Sequence, residues 1–182
     1  MPQPTTAPPP TAPLVVEDAH DPRSYRTVLG HVPTGVTLVT SGPADAAAAR
    51  PTAAMVVGTF GSVSLDPPLV AFMPDRASTT WPLLRAHGRF TASVLGHGQV
   101  DVCRAFARKE EDRFERFAWH RTGAGGHVVA GAAAWVDCEI HDVLAAGDHD
   151  IVLARVLALG ANPDVAQSLV FSRGAYGAPT PL

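Results

Sequence analysis

The sequence predicts a mainly β domain, a small barrel with helices inserted between strands, and three observations carry that prediction. Short runs that are apolar or alternate between apolar and hydroxyl residues recur, at residues 35–40, 52–57, 61–64, 69–73 and 89–95. Two long β runs, residues 133–145 and 149–159, flank Ala146-Gly147-Asp148, a good hairpin turn. Helical spacing is confined to a few separate stretches, without the regular strand–helix alternation that builds a parallel sheet.

Order is expected to begin at Asp21-Pro22, an N-cap followed by proline at the first helical position. Tyr25, Val28, Leu29 and Val32 recur at helical spacing, and Pro33 ends that helix. Residues 42–50 read as a turn with a short alanine run, the loop of a hairpin. Pro67-Pro68 cannot donate ladder hydrogen bonds and marks an edge or corner between two strands. Residues 78–87 read as a helix with Pro82 in its first turn and Trp81, Leu83 and Leu84 pointing inward. Residues 99–108 form another, with Val100, Cys103, Phe106 and Ala107 on one face. A turn or short helix at residues 111–117, a glycine loop at 123–126 and a last strand at 168–172 complete the chain.

At 182 residues, with 46% apolar and 17% charged residues, the chain suits one globular domain. Residues 1–20 are expected to be a disordered, Pro/Thr/Ala-rich tail, 21–177 the domain, and 178–182 a short C-terminal tail. A net charge of −3 argues against nucleic acid, which needs a basic stripe. The start lacks the basic and apolar regions of a signal peptide, and the longest apolar run, residues 128–136, is too short to cross a bilayer. Cys103 and Cys138 form no CxxC pair and read as buried free thiols, so a soluble, cytoplasmic protein away from membranes is expected.

Several familiar chemistries fail on spacing. Gly123-Ala124-Gly125-Gly126 lacks the last glycine of a dinucleotide fingerprint, and Gly61-Ser62-Val63-Ser64-Leu65 lacks the closing glycine of a nucleophile elbow. None of the eight histidines pairs at metal-binding spacing, although His141 and His149 lie on opposite arms of the predicted hairpin. No metal is expected. What remains is a polar, almost uncharged ledge from Thr59 to Ser64 and a hydroxyl cluster, Ser78-Thr79-Thr80, preceded by Arg76. Short hydroxyls and main-chain amides suit a flat ligand that carries a phosphate. His149, between Asp148 and Asp150 at the hairpin tip, is a positioned donor near neutral pH.

In this order the pieces resemble the flavin reductase family with the FMN-binding split-barrel fold. The resemblance rests on Pro33-Thr34-Gly35-Val36-Thr37-Leu38-Val39-Thr40, on Phe60 with residues 62–70 (SVSLDPPLV), and on Ser78 and Thr79. It continues through Arg89-Phe90, Phe106, Lys109, Asp112-Arg113-Phe114 and Gly147-Asp148-His149 to Phe171 and Tyr176. It implies a Greek-key-like split barrel and an NAD(P)H-dependent reductase that passes hydride to FMN or FAD. Such a homodimer would supply reduced flavin to a separate monooxygenase.

The resemblance further implies that Thr59, Ser62, Val63 and Ser64 line the flavin ring and ribityl chain, with Thr34, Met55, Val56, Gly58, Phe60, Phe106 and Tyr176 around them. Ser78 and Thr79 would meet the phosphate, with Arg76 and Lys109 close by, and His149 would face the nicotinamide as the catalytic residue. The chain departs from the family pattern at Val56, Gly58 and Gly61, which lack side-chain donors; main-chain N–H groups could substitute there. Two alternatives stay open: a flavin-binding or other small-ligand-binding barrel without reductase activity, and one that uses bound flavin on an organic substrate.

Overall fold

A computed structural model describes residues 15–42 and 48–180. Residues 1–14 of the tail expected at 1–20, most of the alanine-rich hairpin loop and the last two residues lie outside the described residues. Helix α1 (Pro22–Leu29) starts as its sequence dictates, Asp21 accepting a 2.8 Å hydrogen bond from the Ser24 amide. That bond holds the Asp21 carboxyl below its ordinary value. The helix buries none of its residues.

The strands follow as β1 (Thr34–Gly35), β2 (Thr37–Ser41), β3 (Ala54–Val57), β4 (Gly61–Leu65) and β5 (Pro68–Phe72). Then come α2 (Trp81–His87), β6 (Arg89–Val94), α3 (Val100–Arg108), β7 (Trp119–Arg121) and β8 (His127–Val129). The chain ends with β9 (Ala134–Ala146), β10 (His149–Ala161), β11 (Val170–Ser172) and β12 (Ala175–Gly177). Seven strands form one antiparallel sheet in the order β3-β2-β6-β9-β10-β5-β4, with β1-β11-β12 and β7-β8 as smaller sheets. These sheets stay open at β3 and β4, the arrangement of a split barrel. Two register shifts in the β9–β10 pair add the twist such a sheet needs to coil.

Two apolar cores result. One gathers Val39, Phe72, Trp81, Leu84, Phe90 and Val152 inside the sheet. The other packs Leu38, Leu95, Val102, Cys103, Phe106 and Leu169 between the sheet and α3. Strand β2 lies between them, which is why its apolar–hydroxyl alternation is buried on both faces. The buried Thr40 hydroxyl is satisfied by the carbonyls of Thr91 (3.1 Å) and His127 (2.9 Å).

Some expectations are corrected and others hold. Leu83 is 55% exposed, because the helical turn gives the inward positions of α2 to Trp81 and Leu84 alone. Ala107 is exposed while Cys103 and Phe106 are buried. Residues 111–117 form turns, the Asp112 carbonyl taking the amides of Glu115 and Arg116. The glycine cluster is the turn of the β7–β8 hairpin, whose three-residue strands carry too little alternation to be read. His141 and His149 do not meet: His149 pairs with Ala146, whereas His141 falls at a bulge opposite Leu153 and Ala154. Both cysteines are free and buried, and burial pushes the Cys138 thiol up to about 12.

Gly126 is buried where an added Cβ would collide with Thr91 Oγ1 and crowd Asp137 Oδ1 at 2.5 Å, two atoms already joined by a 2.6 Å hydrogen bond. Gly126→Ala is therefore expected to cost about 1–3 kcal/mol through overpacking, measured by urea unfolding. An unchanged midpoint and slope would refute this packing.

Candidate active site

The site is built where β3, α3 and the small β1-β11-β12 sheet converge. Thr34, Val36, Val56, Val57, Gly58, Cys103, Ala107, Phe171 and Tyr176 line a cavity of about 180 Å³. Val56 lines the cavity from β3 while Met55 packs on the opposite core, and Val57 at the strand's end touches both. Phe106 is also set back, its ring 5.3 Å from Phe114 and 6.0 Å from Trp119 in an aromatic cluster behind the wall. Phe60 packs against the inner core. Of the residues expected around the ring, Thr34, Val56, Gly58 and Tyr176 line this cavity.

Gly58 has a specific reason to be glycine. A Cβ there would stand 2.9 Å from Thr34 Oγ1, so the threonine hydroxyl takes space that a side chain at position 58 would need. Around Gly61 nothing lies within 4 Å of an added Cβ, which leaves the start of β4 as open backbone. Ser62 and Val63 are exposed beside it and Ser64 is half-buried. Thr59 ties this ledge to the end of β5, its hydroxyl accepting from the Met73 amide at 2.8 Å.

The charged groups stand outside the cavity lining. Lys109 terminates α3 in a left-handed conformation (φ 55°) and donates from Nζ to Thr79 Oγ1 at 2.7 Å. It lies two residues beyond Ala107 of the cavity wall. Ser78 Oγ accepts from the amides of Thr80 at 3.2 Å and Trp81 at 3.3 Å just ahead of α2, so this hydroxyl already has a structural duty.

Arg76 reaches the hairpin tip. Its guanidinium donates to the Gly147 carbonyl at 3.3 Å and lies 3.6 Å from the buried Asp150 carboxylate. Trp81 Nε1 donates to the other oxygen of Asp150 at 2.8 Å. A bridge between Asp75 and His149 fixes the same tip. His149 Nδ1 pairs with Asp148 Oδ1 at 2.7 Å, and that contact depresses the Asp148 carboxyl. The Asp148 partner and the Arg76–Asp150–Trp81 lock are features that sequence reading missed; the acid–His–acid run was the available signal.

Tyr176 Oη lies 3.3 Å from Cys103 Sγ. This hydrogen bond first, then burial, raises the phenol above its ordinary value, with the Arg104 and Arg108 charges opposing.

This arrangement suits a flat ligand that is held by neutral groups along its body and by a cation at one end. Comparison with known proteins narrows that class. The family described as flavin reductase like domain matches residues 29–180. A flavin reductase of Pseudomonas putida is 44% identical over 163 residues, 90% of this chain and 93% of that protein. The reductase subunit HsaB of a flavin-dependent monooxygenase from Mycobacterium tuberculosis is 36% identical over 157 residues, 86% of this chain and 81% of that protein. Among solved structures, an NADH:FAD oxidoreductase of Streptomyces globisporus superposes with a TM-score of 0.81 at 35% identity, covering 94% of this chain and 100% of that one. The chain belongs to the flavin reductase family.

The raised phenol gives a prediction. Tyr176 keeps its proton above the ordinary tyrosine value of about 10, so its contribution to stability is complete below that pH and is lost as pH rises through the folded value. In an ultraviolet titration the latest-ionising phenol should vanish in Tyr176→Phe and titrate earlier in Cys103→Ala. An unmoved Tyr176 in the cysteine variant would contradict the assigned cause.

Proposed function

We propose that the chain is an NAD(P)H-dependent flavin reductase that takes FMN or FAD and passes the reduced flavin to a separate monooxygenase component. The observation that carries this reading is the Lys109–Thr79 contact of 2.7 Å, set two residues from the wall of an otherwise neutral cavity. A phosphate anchored there would leave the body of a planar ring to the ledge and cavity. The residues present fit such a group: open backbone at Gly61, hydroxyls at Thr34, Thr59, Ser62 and Ser64, and a single ammonium at the phosphate end.

Bound flavin supplies the redox chemistry, hydride reaching it from NADH or NADPH. This chain contributes alignment and electrostatics. Main-chain N–H groups along residues 59–64 are placed to favour negative charge on the ring. Lys109, Thr79 and Ser78 hold the phosphate, with Arg76 bracing the adjoining tip. Asp148 fixes His149 through Nδ1 and leaves its other ring nitrogen for the nicotinamide side. Tyr176 and Val56 keep water from the cavity.

The relatives named as reductase subunits support a separate oxygenase partner. A homodimer is supported by the uncovered Tyr25, Val28 and Leu29 on α1, each 47–55% exposed. Free buried thiols suit a reducing cytoplasm.

Purified protein with NADH or NADPH should oxidise the nicotinamide only when FMN or FAD is present; no flavin-dependent turnover with either nicotinamide would refute the reading. Ser78→Ala with Thr79→Ala should weaken flavin binding about thirtyfold, two hydrogen bonds at about 1 kcal/mol each being lost. His149→Ala should instead lower kcat or raise the nicotinamide KM with flavin affinity kept. Equal, small effects from both variants would count against the assignment.

A further inference from the structure

We propose that Arg104 and Arg108 form a second phosphate site, which takes the outer phosphate of a flavin adenine dinucleotide and makes the chain select FAD over FMN. The proposal rests on the flavin reading above and adds a subsite outside the cavity already described.

The two arginines stand one turn apart on the exposed face of α3, where like charges repel. Among the described residues neither has a carboxylate within salt-bridge distance. They border a separate cavity of about 430 Å³, within the range of small-ligand sites. Arg116, Asp101 and Glu110 also border it, and Arg116 is occupied by Glu110 at 2.8 Å. That leaves two guanidiniums against the single carboxylate of Asp101. The lining carries a net positive charge.

Its position identifies the anion. The Arg104 guanidinium lies over the Tyr176 ring, 5.7 Å from its centre, and Tyr176 is a wall of the flavin cavity. The charges of Arg104 and Arg108 both act on the Tyr176 phenol. Arg108 directly precedes Lys109, the residue assigned to the inner phosphate. One dinucleotide with its ring beside Tyr176 and its first phosphate at Lys109 would meet Arg108 and then Arg104 by folding back along α3. FMN has nothing to place there, whereas FAD has a second phosphate and an adenosine. Arginine forks match phosphate oxygens in pairs, which a lysine cannot do.

The test is equilibrium titration of FAD and of FMN, followed by flavin fluorescence, with wild type, R104Q/R108Q and R104K/R108K at low and high salt. Wild type should prefer FAD, and salt should weaken FAD binding more steeply than FMN binding. In R104Q/R108Q the FAD Kd should rise roughly tenfold, as expected for lost charge-assisted hydrogen bonds, while the FMN Kd stays within about twofold. The lysine pair should fall between, and its retained fold guards against a glutamine variant that misfolds.

Equal losses for FMN and FAD, or no loss for either, would overturn the subsite. So would an effect confined to the NADPH-against-NADH KM, which would assign the arginines to the nicotinamide dinucleotide. Wild type that binds neither flavin would sink the cavity reading itself. Wild type that binds both without preference would sink only this proposal.

Discussion

The pairing of β9 with β10 constrains almost everything else in this fold. Each strand is thirteen residues long, and the pair sits at the middle of the seven-stranded sheet. The outer edge of β9 carries β6 and through it β2 and β3, while the outer edge of β10 carries β5 and β4. The cavity wall at Val56 and the ledge at Gly61 thus hang from opposite sides of one hairpin. Its turn, with Gly147 at φ 65°, delivers His149 to Asp75 and receives Arg76. A register slip in this pair would turn both core faces outward and detach the site from its scaffold.

Electrostatics divides the site into a neutral body and charged ends. Cavity and ledge offer hydroxyls, a thiol, glycine backbone and hydrocarbon. The cations stand outside the cavity lining: Lys109 on Thr79, Arg76 on the hairpin tip, and Arg104 over Tyr176. Asp150 is the buried exception, balanced by Trp81 and Arg76 instead of standing alone. In the proposed reading, ring recognition by neutral donors and phosphate recognition by outlying cations would let a flavin leave without breaking a buried ion pair. A protein that must release its reduced product has use for that.

Much of this was legible in the sequence because it is locally encoded. The Asp21 cap, the Pro67-Pro68 corner, the Ala146-Gly147-Asp148 turn and the long alternating arms each follow from residue chemistry over a few positions. The double burial of β2 did not, since a second core is a property of what packs across the sheet. Strands β7, β8 and β12 are too short to show periodicity. At the site, hydroxyls and histidine were readable as residue types. The partnership of Lys109 with Thr79, thirty residues away, and of Trp81 with Asp150 exists only once α2, α3 and the hairpin are assembled. Met55 and Phe106 show the converse: near the site in sequence, both turn to the cores because helix and strand geometry gives the cavity to their neighbours.

The central claim concerns where a flavin sits, so the most direct measurement is a crystal structure of the protein grown with excess FMN or FAD. The account predicts ring density against Gly58, Val56 and Tyr176, with phosphate density on Thr79 and Lys109. Well-ordered flavin elsewhere on the surface, with this cleft clear of it, would contradict the account.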